Sequence, residues 1–453
     1  MADEKDKQQV LVQGAVQQDG RPLEATADQP QAEQPAAAKK ARMGDARKKT
    51  GVAAILSVMG PGILTSLAGM DAGGIATFST EGASYGFGML WSIPITCILL
   101  MVVQETAARM ACATGKGFAA LIREQFGIRI SAVAMAAAIV SNFAVTLSEF
   151  AGIASGMLLF NVPVGVSVPV AAIATWLLAM SGSYRRIEKI LLAISCVFVV
   201  YIVAGSMACQ DWGLAVRSTF VPQMSGDPAY ISLLVASIGT TISPYMIFMV
   251  SSNIVEKNLD ADDIPGQRAD NISGAIVSQT IAWFIVLTTA SVLPLGTKIE
   301  TAADAAKALV PFAGEYAMVM FAAGLVGASF LAACVLPGIT ASAVCEAFGW
   351  ERGADRSWAE APAYRGIITA VTLLSAAIVL LPGTDLIGIM MIAQVINGVL
   401  LPVLLLCMVD IASDKHVMGR YANSRVWNIL TWATIIVVIV LTVIMFVMQA
   451  MGV

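Results

Sequence analysis

The chain has 453 residues, of which 57% are apolar and only 13% are charged. Soluble globular chains carry about 25% charged residues, so most of this chain cannot face water. The formal net charge of −4 offers no basic surface for nucleic acid, which excludes that class of partner. A single histidine, His416, excludes histidine clusters and histidine-dependent catalytic triads, so we expect no enzyme and no cofactor.

Residues 1–50 are rich in Gln, Ala, Asp, Pro and Lys and contain few large apolar side chains. Such a composition cannot bury enough surface to offset the entropy of ordering, so we expect a disordered tail. No apolar stretch follows Met1, and we therefore expect no cleavable signal peptide. The seven cysteines are scattered with no Cys-x-x-Cys pair, which is typical of small buried side chains.

Apolar segments fill the chain from about residue 51 onward, and strand-like alternation is absent. Each segment is long enough to cross about 30 Å of hydrocarbon as a helix. The pattern predicts an all-α polytopic membrane protein with eleven transmembrane helices. The segments are 52–83, 88–113, 130–160, 163–181, 187–208, 229–256, 272–296, 314–347, 363–381, 385–411 and 426–450.

Basic residues predict the orientation of these segments, because cytoplasmic loops are enriched in Lys and Arg. With the N-terminus inside, all but three of the 27 Lys and Arg residues fall toward the N-terminal side. The exceptions are Arg217, Lys298 and Lys307. We therefore expect a plasma (inner) membrane protein with a cytoplasmic N-terminus and an extracellular or periplasmic C-terminus.

Two segments are interrupted midway, and they lie five segments apart. The first contains Asp71-Ala72-Gly73-Gly74, and the sixth contains Thr240-Thr241-Ile242-Ser243-Pro244-Tyr245. Matching interruptions in two halves of five helices are typical of inverted-repeat transporters. We predict a LeuT-like 5+5 inverted repeat over 51–411, with halves at 51–208 and 229–411. Residues 412–453 hold one extra, eleventh helix.

The order and spacing of several motifs resemble the Nramp family of divalent metal transporters, from about residue 50 to 410. The matching stretches are Gly60-Pro61-Gly62, Asp71-Ala72-Gly73-Gly74, Gln104-Glu105-Thr106, Ser148-Glu149-Phe150, Arg186-Ile187-Glu188 and Gln394-Val395.

The departures from that family are equally specific. Gly74 stands where Nramp proteins have Asn, and Ser243-Pro244-Tyr245 stands where they have Met-Pro-His. The family's proton-carrying arginine in the ninth segment falls at Ala370. This combination resembles the Nramp-related magnesium transporter branch, which implies loss of the thioether ligand and of the proton machinery.

The residues themselves predict a metal site at the two interruptions. A lone carboxylate at mid-membrane, Asp71, persists where it meets a cavity, a partner or an ion. Backbone carbonyls of Thr240 and of Ala72 or Asp71, together with the Gln394 amide, would add hard oxygen ligands, which suit Mg²⁺, Ca²⁺ or Mn²⁺. Small residues at Gly74 and Ser243 predict a wide pocket that holds a partly hydrated ion.

Several of these residues also have an ordinary structural explanation. Gln394 can bind metal directly or through water, or simply bond a neighbouring helix. Ser243 lines the site or bonds its own helix, and Tyr245 packs or forms cavity wall. We also place Gly73 and Asn397 in the cavity wall.

Three further acidic residues lie in or near the apolar segments. Glu149 and Glu105 are each either a proton relay or a neutral acid hydrogen-bonded within the bundle. For Glu149, the absence of the family's His and Arg favours a structural or vestibule role. Glu81 lies near a segment end, where we expect water to reach it.

The sequence therefore predicts a secondary transporter of Mg²⁺, and also of Mn²⁺, without proton coupling. Its partners are the divalent metal ion and the lipid bilayer, and we expect a monomer. The alternatives are a proton-coupled symporter of Mn²⁺ and transition metals, a passive channel and a cationic organic-solute transporter on the same fold.

Overall fold

The computed structural model describes residues 70–181, 199–353 and 356–451. The predicted disordered tail and the first half of the first apolar segment lie outside the described residues. Within those ranges the regular elements are helices.

The α-helices follow in chain order, with short 3₁₀ turns at Gly86–Met89, Ala261–Asp263, Lys307–Leu309, Gly314–Tyr316 and Gly419–Tyr421. They are α1 (Ala72–Tyr85), α2 (Ser92–Thr114), α3 (Phe118–Gln125), α4 (Ile128–Leu158), α5 (Val164–Ser181), α6 (Val199–Ala208), α7 (Trp212–Phe220), α8 (Pro228–Thr241), α9 (Pro244–Glu256), α10 (Ile264–Val292), α11 (Ala302–Ala306), α12 (Val310–Ala313), α13 (Ala317–Phe348), α14 (Pro362–Val379), α15 (Leu386–Ser413), α16 (Lys415–Met418) and α17 (Arg425–Ala450).

Eight spans in the described part are long and apolar enough to cross a membrane. Each of the eleven predicted segments has a helical counterpart, but the first and fifth are described only in part, as α1 and α6. The fourth is the shorter apolar helix Val164–Met180. The count of eleven therefore stays a prediction, while the all-helical membrane architecture is confirmed.

The sixth segment is broken where the sequence predicts. Helix α8 ends at Thr241, and α9 begins at Pro244 after the extended residue Ser243 (φ −70°, ψ 138°). Proline fits this first helical position because its missing N–H would have no partner inside the helix. In the first segment, Asp71 is extended (φ −78°, ψ 179°) and caps the start of α1.

Two long helices, α10 and α15, pack against the interrupted segments. Helix α4 packs along both α13 and α15, α1 packs on α10, and α8 packs on α15. Helix α17 instead exposes large apolar side chains, including Ile429, Ile436 and Val443, as a lipid-facing helix does. The start of α1 at Asp71 and the α8–α9 break therefore lie inside the bundle, where irregular backbone can be tolerated at membrane depth.

Candidate metal site

Asp71 has one carboxylate oxygen that is structurally engaged and one that has no partner. Its Oδ1 accepts a hydrogen bond from the backbone N–H of Gly74 at 2.7 Å, which caps helix α1. The residue is fully buried, and among the described residues Oδ2 has no hydrogen-bond partner. One oxygen thus fixes the carboxylate in the protein, and the other is available to a cation.

The C-terminal end of α8 lies against this carboxylate. The hydroxyl group of Thr240 is beside Asp71 but forms no hydrogen bond of good geometry. Ser243 Oγ donates to the carbonyl of Gly239 at 2.8 Å and makes a longer, 3.4 Å contact with that of Thr240. Carbonyl oxygen has two lone pairs, so the Thr240 carbonyl retains capacity for a cation.

Helix α15 contributes an amide network on the other side of the break. Asn397 Nδ2 donates to Gln394 Oε1 at 2.9 Å and contacts Ser243 Oγ at 3.4 Å. The hydroxyl of Ser141, on α4, donates to Asn397 Oδ1. All four side chains are buried, and Gln394 Nε2 has no hydrogen-bond partner in the part of the chain that the structure describes. The network fixes the side-chain carbonyl of Gln394 beside the helix breaks.

Two glycines allow α15 to approach both interrupted segments. A Cβ on Gly239 would lie 2.0 Å from the backbone oxygen of Gln394, and a Cβ on Gly73 would collide with the Gln394 side chain. Only glycine permits such close approach without displacement of the neighbour. The first and sixth segments therefore both contact α15 at Gln394.

Glu149 and Tyr245 complete the buried polar group. Glu149 Oε2 accepts a hydrogen bond from the backbone N–H of Ala72 at 3.3 Å, and Oε1 has no partner within the described ranges. Tyr245 is 2% exposed and lies within electrostatic range of both Asp71 and Glu149. Two acids and a phenol thus share the start of α1, where the unpaired N–H groups favour negative charge.

The structure brings all the sequence-predicted site residues together. Contacts connect them in one buried region, through the start of α1, the α8–α9 break, one turn of α15 and the middle of α4. They are Asp71, Ala72, Gly73, Gly74, Thr240, Ser243, Gln394, Asn397, Tyr245 and Glu149.

In the described part of the chain, no three His, Cys, Asp or Glu residues cluster as a metal site. A cation here would therefore take much of its coordination from amide, carbonyl and water oxygens.

Comparison with known proteins identifies the family of this chain. The family model described as natural resistance-associated macrophage protein-like (Nramp) matches residues 62–448. This chain belongs to the Nramp family. A divalent metal cation transporter, MntH of Burkholderia ambifaria, is 28% identical over 405 residues, which cover 86% of this chain and 89% of that protein.

Solved structures of Nramp and more distant transporters share the fold. A manganese transporter of Eremococcus coleocola superposes with a TM-score of 0.72 at 20% identity, with 88% of each chain covered. MhsT in complex with L-phenylalanine gives 0.58 at 15% identity and covers 86% of this chain and 97% of its own. These likenesses confirm the predicted LeuT-like fold.

Sequence reasoning missed three contributors to this Nramp site. Ser141 orients Asn397, and Gly239 makes room for α15. Met391, one turn before Gln394, accepts a 3.7 Å hydrogen bond from Thr77 at its sulfur. The thioether sulfur of Met391 thus lies one turn from the predicted all-oxygen ligands, but it already accepts a hydrogen bond from Thr77. Ser141 could have been found from the sequence, because it has helical spacing with Glu149 and Gly152 on α4.

Two expectations about acids are wrong. Glu105 is an ion-pair residue rather than a relay or a neutral acid, since it accepts from Arg109 Nε at 3.2 Å and from Arg268 Nη2 at 2.5 Å. Glu81 is fully buried rather than reached by water, because α8 packs over the face of α1 that carries it.

Proposed function

We propose that this Nramp-family chain is a secondary transporter that carries a divalent metal cation across the plasma membrane. The observation that supports it is the Asp71 carboxylate, fully buried at the meeting point of two interrupted helices, with Oδ2 unpartnered. A charged side chain at mid-membrane costs about 2.5–3.5 kcal/mol on insertion scales, and a bound cation offsets that cost.

The cargo is Mg²⁺, and also Mn²⁺, bound as a partly hydrated ion. Asp71, Gln394 and the Thr240 carbonyl are hard oxygen donors, and Ser243 contributes a hydroxyl where the family has a thioether. Mg²⁺ gives up its waters reluctantly, and the unpartnered hydroxyl of Thr240 offers such waters a hydrogen bond. The names of the relatives, a divalent metal cation transporter and a manganese transporter, support the divalent class.

Transport is driven by the metal gradient and the membrane potential, without protons. Tyr245 occupies the position of the family's histidine, and His416 is exposed in the turn after α15. Two charges that cross the whole field gain about 2 × 2.3 kcal/mol per 100 mV, so the potential alone concentrates the ion. The N-terminus is cytoplasmic and the C-terminus lies outside, as the basic residues predict.

A second candidate is proton-coupled Mn²⁺ symport. It is favoured by Glu149, a buried acid whose Oε1 is unpartnered and which lies within electrostatic range of Asp71. A buried acid next to a cation site can release a proton when the cation binds.

Uptake into proteoliposomes with Mg²⁺, Mn²⁺ and Ca²⁺ in parallel tests the proposal. We expect saturable Mg²⁺ uptake, competition by Mn²⁺ and poor transport of the larger Ca²⁺. Uptake of Mn²⁺ with no uptake of Mg²⁺ would support the second candidate. Absence of uptake of all three ions would refute metal transport altogether.

A further inference from the structure

Glu81 is a second buried carboxylate on the helix that begins at Asp71. It lies ten residues further along α1, which corresponds to about 15 Å at 1.5 Å per residue. The side chain is fully buried, and in the described part of the chain neither Oε1 nor Oε2 has a hydrogen-bond partner. It belongs to none of the contacts that build the Asp71 site.

Glu81 is poorly satisfied in either protonation state. A carboxylate would have only the Ser237 hydroxyl beside it, and a protonated acid would have only that same hydroxyl as an acceptor, without good hydrogen-bond geometry in either case. A buried polar group without partners costs about 1–3 kcal/mol, and more if it is charged. Such a residue indicates a group that enters and leaves, either water or an ion.

The facing half-helix α8 presents unpartnered hydroxyl groups toward the same path. Ser237 Oγ lies beside Glu81 and has no hydrogen bond of good geometry. One turn further toward Asp71, the hydroxyl of Thr240 is also buried and has no hydrogen-bond partner among the described residues. Oxygen groups therefore continue along the α1–α8 contact from Asp71 to Glu81.

Beyond Glu81, aromatic side chains close the contact between α1 and α8. The rings of Tyr85 and Tyr230 meet edge to face with centroids 5.0 Å apart, and Trp91 Nε1 donates to the Tyr230 hydroxyl at 3.0 Å. Tyr85 in turn donates to Asp227 Oδ2 at 2.5 Å, and Asp227 is exposed. The aromatic pair thus separates a buried acid from an acid at the surface.

We propose that Glu81 and Ser237 form a second cation site, which a partly hydrated divalent ion occupies on its way between the Asp227 surface and Asp71. The inference rests on the proposed function. Parting of Tyr85 from Tyr230 admits the ion and its waters, the Glu81 carboxylate supplies charge and one or two oxygen ligands, and Ser237 bonds the hydration shell. Hard oxygen ligands with retained water suit Mg²⁺ and Mn²⁺.

Transport kinetics with Mn²⁺ supplied at the Asp227 side test the site. Glu81→Gln keeps the size of the side chain and removes its charge, and Glu300→Gln, at an exposed loop acid, is the matched control. We expect KM to rise about tenfold in Glu81→Gln, the lower end of what a charged cleft contributes to ion capture, and to stay at the wild-type value in the control. Ser237→Ala should raise KM less.

Metal binding without transport gives an independent readout. In detergent, Asp71→Ala should retain weak Mn²⁺ binding, measured by electron paramagnetic resonance titration, and the double variant Asp71→Ala/Glu81→Gln should lose it. Equal binding by the two variants would overturn the proposal.

The outcomes separate this inference from the proposed function. Wild-type KM in both Glu81→Gln and Ser237→Ala, together with loss of uptake in Asp71→Ala, would overturn the second site and leave the transporter intact. An unchanged KM with altered proton movement in Glu81→Gln would make Glu81 a proton carrier and also overturn it. Absence of uptake by the wild-type protein would remove both. If Glu81→Gln elutes as an aggregate, Ser237→Ala decides.

Discussion

Gly73 leaves the space that the side-chain amide of Gln394 occupies. A Cβ on Gly73 would lie 1.8 Å from Gln394 Nε2 and 2.6 Å from its Cδ. The first interruption and helix α15 are therefore matched at this contact, and any side chain on Gly73 must displace the proposed ligand.

Gly73→Ala should weaken metal binding by about 10- to 100-fold, the range found for residues that orient metal ligands. Gln394→Ala should do the same, and the double variant should be no worse than either single one, because both changes remove one contact. Isothermal titration with Mn²⁺ measures this cycle. Gly266→Ala, in open space on α10, is the control and should bind normally. Additive losses would show that Gly73 acts independently of Gln394.

Selectivity should follow the ligands at the two interruptions. Introducing methionine at Ser243 together with asparagine at Gly74 adds a soft ligand and narrows the pocket, so preference should shift from Mg²⁺ toward Mn²⁺ or Cd²⁺. Competition of these ions in proteoliposome uptake measures the change. Ser206→Met, which adds a thioether at an exposed position on α6, is the matched control and should leave the preference unchanged. Unchanged relative rates in the double variant would disprove our account of Ser243 and Gly74.

The sequence predicted the interruptions because their cause is local. Pro244 lacks a backbone N–H and begins α9 directly after the extended residue Ser243, and the Asp71 side chain caps the start of α1. Only one of the two partners of Glu105 could be predicted from the sequence. Arg109 lies one helical turn away, whereas Arg268 lies 163 residues away. Burial of Glu81 was not accessible, because it depends on how α8 packs on α1 rather than on distance from a segment end.

The buried ion-pair group around Glu105 should be important for stability. Glu105→Gln leaves the buried Arg109 without its charged partner, which should cost roughly 1–3 kcal/mol and lower the melting temperature in detergent. Glu124→Gln breaks a more exposed pair with Lys116, whose side chain is 48% exposed, and should have almost no effect. Equal melting temperatures of the two variants would contradict a structural role for Glu105.

Uncoupled transport predicts that Mg²⁺ uptake leaves the internal pH unchanged. Coupling needs groups that change protonation during the cycle, and Tyr245 and Ala370 offer poor partners for such a relay. A pH-sensitive dye inside proteoliposomes, with the potential clamped by valinomycin and potassium, measures it. Acidification that scales with Mg²⁺ influx and disappears in Glu149→Gln would restore proton symport as the mechanism.

The proposed metal site depends above all on the carboxylate of Asp71, and two variants isolate the effect of its charge. Asparagine caps a helix about as well as aspartate, so Asp71→Asn should keep the start of α1 intact while it removes the charge, whereas Asp71→Ala removes both. The decisive measurement is Mg²⁺ and Mn²⁺ uptake by both variants in proteoliposomes, with folding checked by size-exclusion chromatography. We predict that uptake by Asp71→Ala falls to the level of protein-free liposomes and that uptake by Asp71→Asn is severely reduced. Near-normal flux in either variant would contradict a metal site at Asp71.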